Sequence, residues 1–206
     1  MRNWLKVLAS LSLAGLVSTQ AQASVIVNAS AAGQLTTSVA GATTVNFENG
    51  CTGYLSCTNL NVVSGSQGGV YAAPYSDATK YSTVSGGQTT TFKLASAADY
   101  FGLYWGSIDT YNTISFYLGN TLVQSYSGAP VLGLLSNGGQ TSWSSNRYIN
   151  FFFQNSVYDT VKLYSGSNAF ETDNHAFRKS SVPEPTPLIL LGVGLLGLAF
   201  ARKRAI

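Results

Sequence analysis

Asn112-Thr113-Ile114-Ser115-Phe116-Tyr117-Leu118-Gly119-Asn120 is the stretch that decides the fold class. Ile114, Phe116 and Leu118 point one way and Ser115 and Tyr117 the other, the period of two expected of a half-buried strand. Gly119-Asn120 then separates it from a second β-favouring run over 121–126, which is a two-residue hairpin signal. Working outward, similar runs occupy 89–95, 100–105, 147–153, 157–164 and 168–177. Clusters such as Ser136-Asn137-Gly138-Gly139 and Ser165-Gly166-Ser167 punctuate them. No stretch between Ser24 and Ser181 sustains a helical period. The pattern predicts an all-β domain over 24–181, an antiparallel, jelly-roll-like β-sandwich of roughly 8–11 strands.

The two ends read differently. The chain has 11 basic and 8 acidic residues, a net charge of +3 that by itself suggests a nucleic-acid partner. Between Ser24 and Ser181, however, six basic residues face seven acidic ones, so the excess lies wholly at the termini and a nucleic-acid partner is not expected. Arg2 and Lys6, an apolar run over 7–17 and the small-residue site Ala21-Gln22-Ala23 make residues 1–23 a signal-peptide helix. Signal peptidase is then expected to leave Ser24 as the mature N-terminus.

Residues 182–206 again fall into three parts. Val182-Pro183-Glu184-Pro185 precedes an uncharged run over 188–201, and Arg202-Lys203-Arg204 follows it. The prolines disfavour a helix entering from upstream, while Pro187 suits the first turn of a new one. A helix over about 187–201 is short for a bilayer and spans it only if its flanks join in and the bilayer thins. The three cations act as a membrane stop that stays on the cytoplasmic side. Gly192-Val193-Gly194-Leu195-Leu196-Gly197 spells a dinucleotide-binding pattern, but prolines precede it and the chain stops soon after, so a cofactor is not indicated.

In its order of Val-Pro-Glu-Pro, short Leu/Gly-rich helix and basic cluster, the tail resembles the PEP-CTERM sorting signal of Gram-negative bacteria. The resemblance implies processing near Pro183-Glu184-Pro185 by an exosortase, a membrane cysteine protease. It further implies an inner-membrane-anchored precursor, delivered to the cell surface or extracellular matrix of a bacterium that makes exopolysaccharide. Residues 100–118, Gln140-Thr141-Ser142, 146–151 and 170–177 also resemble an ectodomain recurring among PEP-CTERM surface proteins. That likeness implies a β-rich fold and a surface location, with no catalytic residues to carry over.

Cys51 and Cys57 have five residues between them in a polar loop, and in an exported protein they read as a disulfide. Catalysis is not indicated. His175 is the single histidine, no G-x-S-x-G accompanies it, and on a final strand it reads as a surface residue rather than a base. The alternation places Glu171, Asp173, His175 and Phe177 on one face, opposite Phe170, Thr172, Asn174 and Ala176.

Two binding sites remain as expectations. Glu48, Glu171, Asp173 and Asn174 supply hard oxygen donors suited to Ca²⁺, set against the plainer reading that they cap turns. Tyr104, Trp105, Asp109, Tyr111 and Asn112 form an aromatic and polar set suited to a sugar platform. Core packing is the competing reading for their rings. The function these features suggest is an exported surface or matrix protein with a structural or adhesive role in an exopolysaccharide biofilm. The alternative is a lectin-like carbohydrate-binding module, with Ca²⁺ as its candidate cofactor.

Overall fold

Strand-forming segments cover most of the exported region, as the period of two requires. The computed structural model describes residues 24–128 and 136–180. The expected signal-peptide helix, the PEP motif, the membrane helix and the basic stop lie outside the described residues. Eleven strands run in order: β1 (Ser24–Ala29), β2 (Thr43–Val45), β3 (Ser56–Thr58), β4 (Val62–Val63), β5 (Tyr81–Val84), β6 (Thr89–Gly106), β7 (Asn112–Leu118), β8 (Thr121–Ser127), β9 (Arg147–Gln154), β10 (Tyr158–Ser165) and β11 (Phe170–Lys179). Among the described residues no helix is long and apolar enough to cross a membrane.

β7 and β8 form the expected hairpin, with Leu118 paired to Thr121 across Gly119-Asn120. Ile114 and Phe116 are buried, while Ser115 and Tyr117 are partly exposed. The runs at 89–95 and 100–105 are one strand rather than two. Between the Tyr158–Ala98 and Thr160–Lys93 pairs, β6 advances five residues while β10 advances two. This irregularity lets β6 leave one layer and enter the other. Its first half pairs with β3 and β10, and its second with β9 and β11.

The layers are therefore β3–β6–β10–β7–β8 and β5–β11–β6–β9–β1, with β4 beyond β5 and β2 beside the far half of β11. All these strand pairs are antiparallel. Facing side chains interlock between the layers. Phe116 of β7 lies 5.1 Å from Phe151 and 4.9 Å from Phe153, both of β9. Trp105 stacks on Phe170 at 4.6 Å, and both are fully buried. Removing either ring would cost about 3–5 kcal/mol by the usual penalty for emptying an aromatic site. Cys51 and Cys57 are joined in a disulfide, with their Cα atoms 6.0 Å apart.

A bulge in β11 changes which residues share a face. Asp173 pairs with Tyr104 but Ala176 pairs with Gly102, so β11 carries one extra residue there. Asn174, at φ 48°, takes the left-handed conformation that accommodates it. The alternation thus reverses midway. Phe170 and Thr172 before the bulge share the core side with His175 after it, while Glu171 and Asp173 face the other way. The sequence expectation that Glu171, Asp173 and His175 share a face is corrected by this one inserted residue.

The segment over 64–80 folds across the outer side of the second layer. Gly106 makes the close approach of Pro74 feasible, because a Cβ there would sit 2.8 Å from the proline ring. Tyr104 donates its hydroxyl hydrogen to the carbonyl of Tyr75, and Tyr81 donates to that of Gly65.

Candidate functional site

One end of the sandwich gathers four connections: the segment over 64–80, the β6–β7 link, the segment entering β9 and the β10–β11 turn. Between them lies a cleft of about 350 Å³. Tyr71 and Tyr111 contribute rings, Gln67, Asn137, Gln140 and Asn168 contribute amides, and Ser66, Ser107, Asp109 and Glu171 complete the polar side chains of the lining.

Asn146 holds the loops in register, and it is fully buried. Its Oδ1 accepts from the backbone N–H groups of Tyr75 (3.0 Å) and Ser107 (2.9 Å), and its amide donates to the carbonyls of Gly139 and Ser142. Asn168 makes a second tie, accepting from Gly86 N–H at 2.8 Å and donating to the Gly69 carbonyl. Gly138 is at φ 66°, and a Cβ there would sit 2.8 Å from Asp109 Oδ1. Glycine at that position leaves the Asp109 carboxyl clear.

The chemistry of the cleft is set by its acids. Tyr111 donates its hydroxyl hydrogen to Asp109 Oδ2 at 2.6 Å. Burial pushes the Asp109 carboxyl up from its ordinary value, and that hydrogen bond opposes the shift. Burial also pushes the Tyr111 phenol up, so it stays protonated as a donor. Glu171 accepts from Ala72 N–H at 2.9 Å through Oε1. Its other oxygen, Oε2, is buried with no protein donor, and so is the hydroxyl of Ser107. Burial raises the Glu171 carboxyl to about 7, against the lowering effect of the Ala72 bond. Ser107 holds φ at 46°, a conformation that costs a side-chain-bearing residue energy.

The residues expected to contact sugar divide. Asp109 and Tyr111 line the cleft, whereas Tyr104, Trp105 and Asn112 are fully buried. Asn112 spends its amide on the Ala169 carbonyl and the Ser165 hydroxyl. Tyr104 and Trp105 sit at the end of β6, where both faces of the strand are covered, so core packing accounts for their rings.

The four residues expected to share Ca²⁺ do not converge. Glu48 accepts from Lys80 N–H at 2.9 Å, and its other oxygen lies 4.0 Å from the Lys80 ammonium. Glu171 turns to the cleft. Asp173 meets the 64–80 segment through Thr79, and the carbonyl of Asn174 accepts from Tyr148. Among the described residues, no three His, Cys, Asp or Glu side chains are grouped to hold a metal ion.

Asp173 forms a separate acidic pair with Asp77. The Thr79 hydroxyl lies 2.5 Å from Asp77 Oδ1 and 3.2 Å from Asp173 Oδ2, and its one hydrogen serves only one of them. Burial first, and then the neighbouring Asp77, raises the Asp173 carboxyl to about 8.

His175 is fully buried, which corrects the expectation of a surface residue. Its Nδ1 pairs with the Tyr54 hydroxyl and its Nε2 with the Thr172 hydroxyl, each at 2.9 Å. Phe47 and Phe92 lie 4.8 and 5.0 Å from its ring. Burial lowers its pKa to about 3, so it stays neutral.

Glu171 was visible in the sequence only as an acid, and Ser107, Gln67, Asn137, Gln140 and Asn168 gave no signal. Polar loop residues have no periodicity, and only the fold brings these together.

Comparisons with known proteins bear on the fold and the tail. Among solved structures, the chain is similar to the catalytic domain of a GH87 alpha-1,3-glucanase in complex with tetrasaccharides, at 17% identity and a TM-score of 0.42. That match covers 71% of this chain but spans only 29% of the glucanase chain. It is also similar to CsCBM6-3 from Clostridium stercorarium in complex with cellobiose, at 18% identity over 67% of this chain and 94% of that one, with a TM-score of 0.37. The C-terminal CBM6 of LamC from Zobellia galactanivorans gives 15% identity, 67% and 99% coverage and a TM-score of 0.38. Scores this low carry no site or activity across. No curated protein matches the chain. A family model does match at the C-terminus: residues 181–204 fit the PEP-CTERM protein-sorting motif. This match marks the chain as an exported surface protein that carries the PEP-CTERM sorting signal.

Proposed function

We propose that this surface protein is an adhesive component of an exopolysaccharide matrix and that it holds saccharide in the cleft at the end of its sandwich. The carrying observation is the composition of that cleft. Two tyrosine rings, four side-chain amides and two carboxyls line about 350 Å³, within the range of small-ligand sites. Tyrosine faces suit the C–H face of a sugar ring, while amides and carboxyls match its hydroxyls. The sorting signals supply the route. Signal peptidase cuts after Ala23, and the basic stop at Arg202-Lys203-Arg204 holds the precursor in the inner membrane. Exosortase then cuts near Pro183-Glu184-Pro185. Ser24 is already paired with Gln154 in β1, so the first cut leaves the sheet whole.

The test is retention of the mature exported protein on the exopolysaccharide of an exosortase-bearing host. Wild type is expected to be retained, and the Asp109→Asn/Tyr111→Ala double variant to lose at least about tenfold in affinity, the cost of roughly one charge-assisted hydrogen bond and a ring contact. Equal retention of the two, or none of either, overturns the saccharide reading.

A further inference from the structure

The cleft that carries the proposed function has a charge imbalance that says more about its ligand. No Lys, Arg or His is among its lining residues, yet Asp109 and Glu171 both are. Glu171 is 2% exposed and Ser107 4%. Each leaves a buried oxygen, Glu171 Oε2 and Ser107 Oγ, without a protein partner. The two residues belong to different elements, β11 and the β6–β7 link, and both line the cleft. A buried acceptor left unpaired is costly, so a ligand that brings a donor there gains the full benefit of pairing it.

The kind of donor follows from the acids. A sugar hydroxyl brings one neutral donor. An ammonium brings three donors and a positive charge, and charge-assisted bonds to carboxylate are about twice as strong as neutral ones. A bare metal ion fits less well. It would fill a small part of about 350 Å³, and no three acidic, histidine or cysteine side chains gather among the described residues. A polyuronate would bring its own negative charge to two carboxyls with no cation between them.

We infer that the cleft selects a saccharide carrying a free amine, an amino sugar that is not N-acylated, with its ammonium on the carboxylates of Asp109 and Glu171 and its ring against Tyr111. This inference rests on the saccharide-binding reading above, and it names the sugar class.

The experiment compares calorimetric binding of the mature exported protein to four oligomers of matched length, near neutral pH and with or without added Ca²⁺. They are glucosamine, N-acetylglucosamine, glucose and a uronic acid. The glucosamine oligomer is expected to bind about tenfold more tightly than its N-acetylated counterpart. Glu171→Gln, which keeps shape and removes charge, is expected to bring that ratio close to one. Asp109→Asn provides the same readout should the first variant fold poorly. If all neutral and amino oligomers bind alike, the amine preference is overturned and the saccharide reading stands. Preference for the uronic acid, or binding that requires Ca²⁺, also overturns it in favour of metal bridging. If no oligomer binds, both readings fall.

Discussion

On the cleft side of Asn174, strand β11 buries Glu171 and Asp173; on the other side it buries His175. All three titratable groups are at most 2% exposed, and all lie within five residues. Both nitrogens of His175 have hydroxyl partners, and aromatic rings pack around it. Glu171 and Asp173 each keep one buried oxygen that no protein group serves. A polar group whose bonds are all made within the fold rigidifies it, whereas one left short is either a cost or a place for something else to bind. The near half of the strand therefore carries the candidate chemistry, and the far half carries stability.

The largest expected effect lies in the far half. Replacing His175 with Ala removes a ring from among Phe47, Phe92 and Phe101, and it strips the Tyr54 and Thr172 hydroxyls of partners. An emptied aromatic site and stranded polar groups together should cost about 4 kcal/mol, read as a lower urea midpoint at unchanged m-value. Glu171→Gln, by contrast, should change stability by less than about 1 kcal/mol, since it keeps the volume and relieves a buried charge. Equal losses in the two variants would erase the distinction between the halves.

A smaller effect is expected from pH, where the two halves pull in opposite directions. His175, lowered to about 3 from an ordinary 6.5, contributes stability that is present above 6.5 and lost as pH falls through about 3. Glu171 and Asp173 are raised to about 7 and about 8 from ordinary values of 4.5 and 3.8. Their contributions are present below those ordinary values and lost as pH rises through the raised ones. Between about pH 5 and 6.5 the folded state holds two acid protons that the unfolded chain lacks, and the unfolded chain holds one histidine proton. The net difference of one proton makes stability fall by about 1.4 kcal/mol per pH unit. The protein should be more stable near pH 5 than near pH 8, and the Glu171→Gln/Asp173→Asn variant should lose most of that fall, because His175 then pulls stability the other way. A wild-type protein that gains stability as pH rises would break the comparison.

How much of this could be read from the sequence depends on whether each signal was local. Residues 112–118 gave up the strand, and 112–116 its face, because a period of two is visible within seven residues and Gly119-Asn120 fixes the turn; Leu118, placed with Ile114 and Phe116 by that period, is 44% exposed at the hairpin end. The tail was legible for the same reason, with three parts in fixed order. Ala95-Ser96-Ala97-Ala98 has no alternation to show that β6 runs through it, so one strand read as two. The bulge at Asn174 was invisible because an extra residue is defined only by the partner strand. Everything after it was assigned to the wrong face, His175 included. Asp109 and Tyr111 stood out by their aromatic company, while Glu171 was noticed for its charge and given a different partner. Its place in the cleft depends on the 64–80 segment, which reaches it through Ala72, 99 residues away.

The smallest effect tests whether the near half carries its unpaired groups at the expense of stability. Ser107 combines a left-handed φ of 46° with a buried hydroxyl that has no partner, and its backbone N–H is already tied to Asn146. Glycine adopts that φ without penalty and removes the hydroxyl, and it leaves the Asn146 bond in place. Ser107→Gly should therefore raise stability by about 1 kcal/mol in urea unfolding, while weakening retention on the exopolysaccharide. A gain in stability with unchanged retention would make Ser107 a strained bystander. A loss of stability would mean that its hydroxyl holds the cleft together. The expected pairing of gain and loss is what separates a binding residue from a structural one, since at His175 no substitution should improve either property.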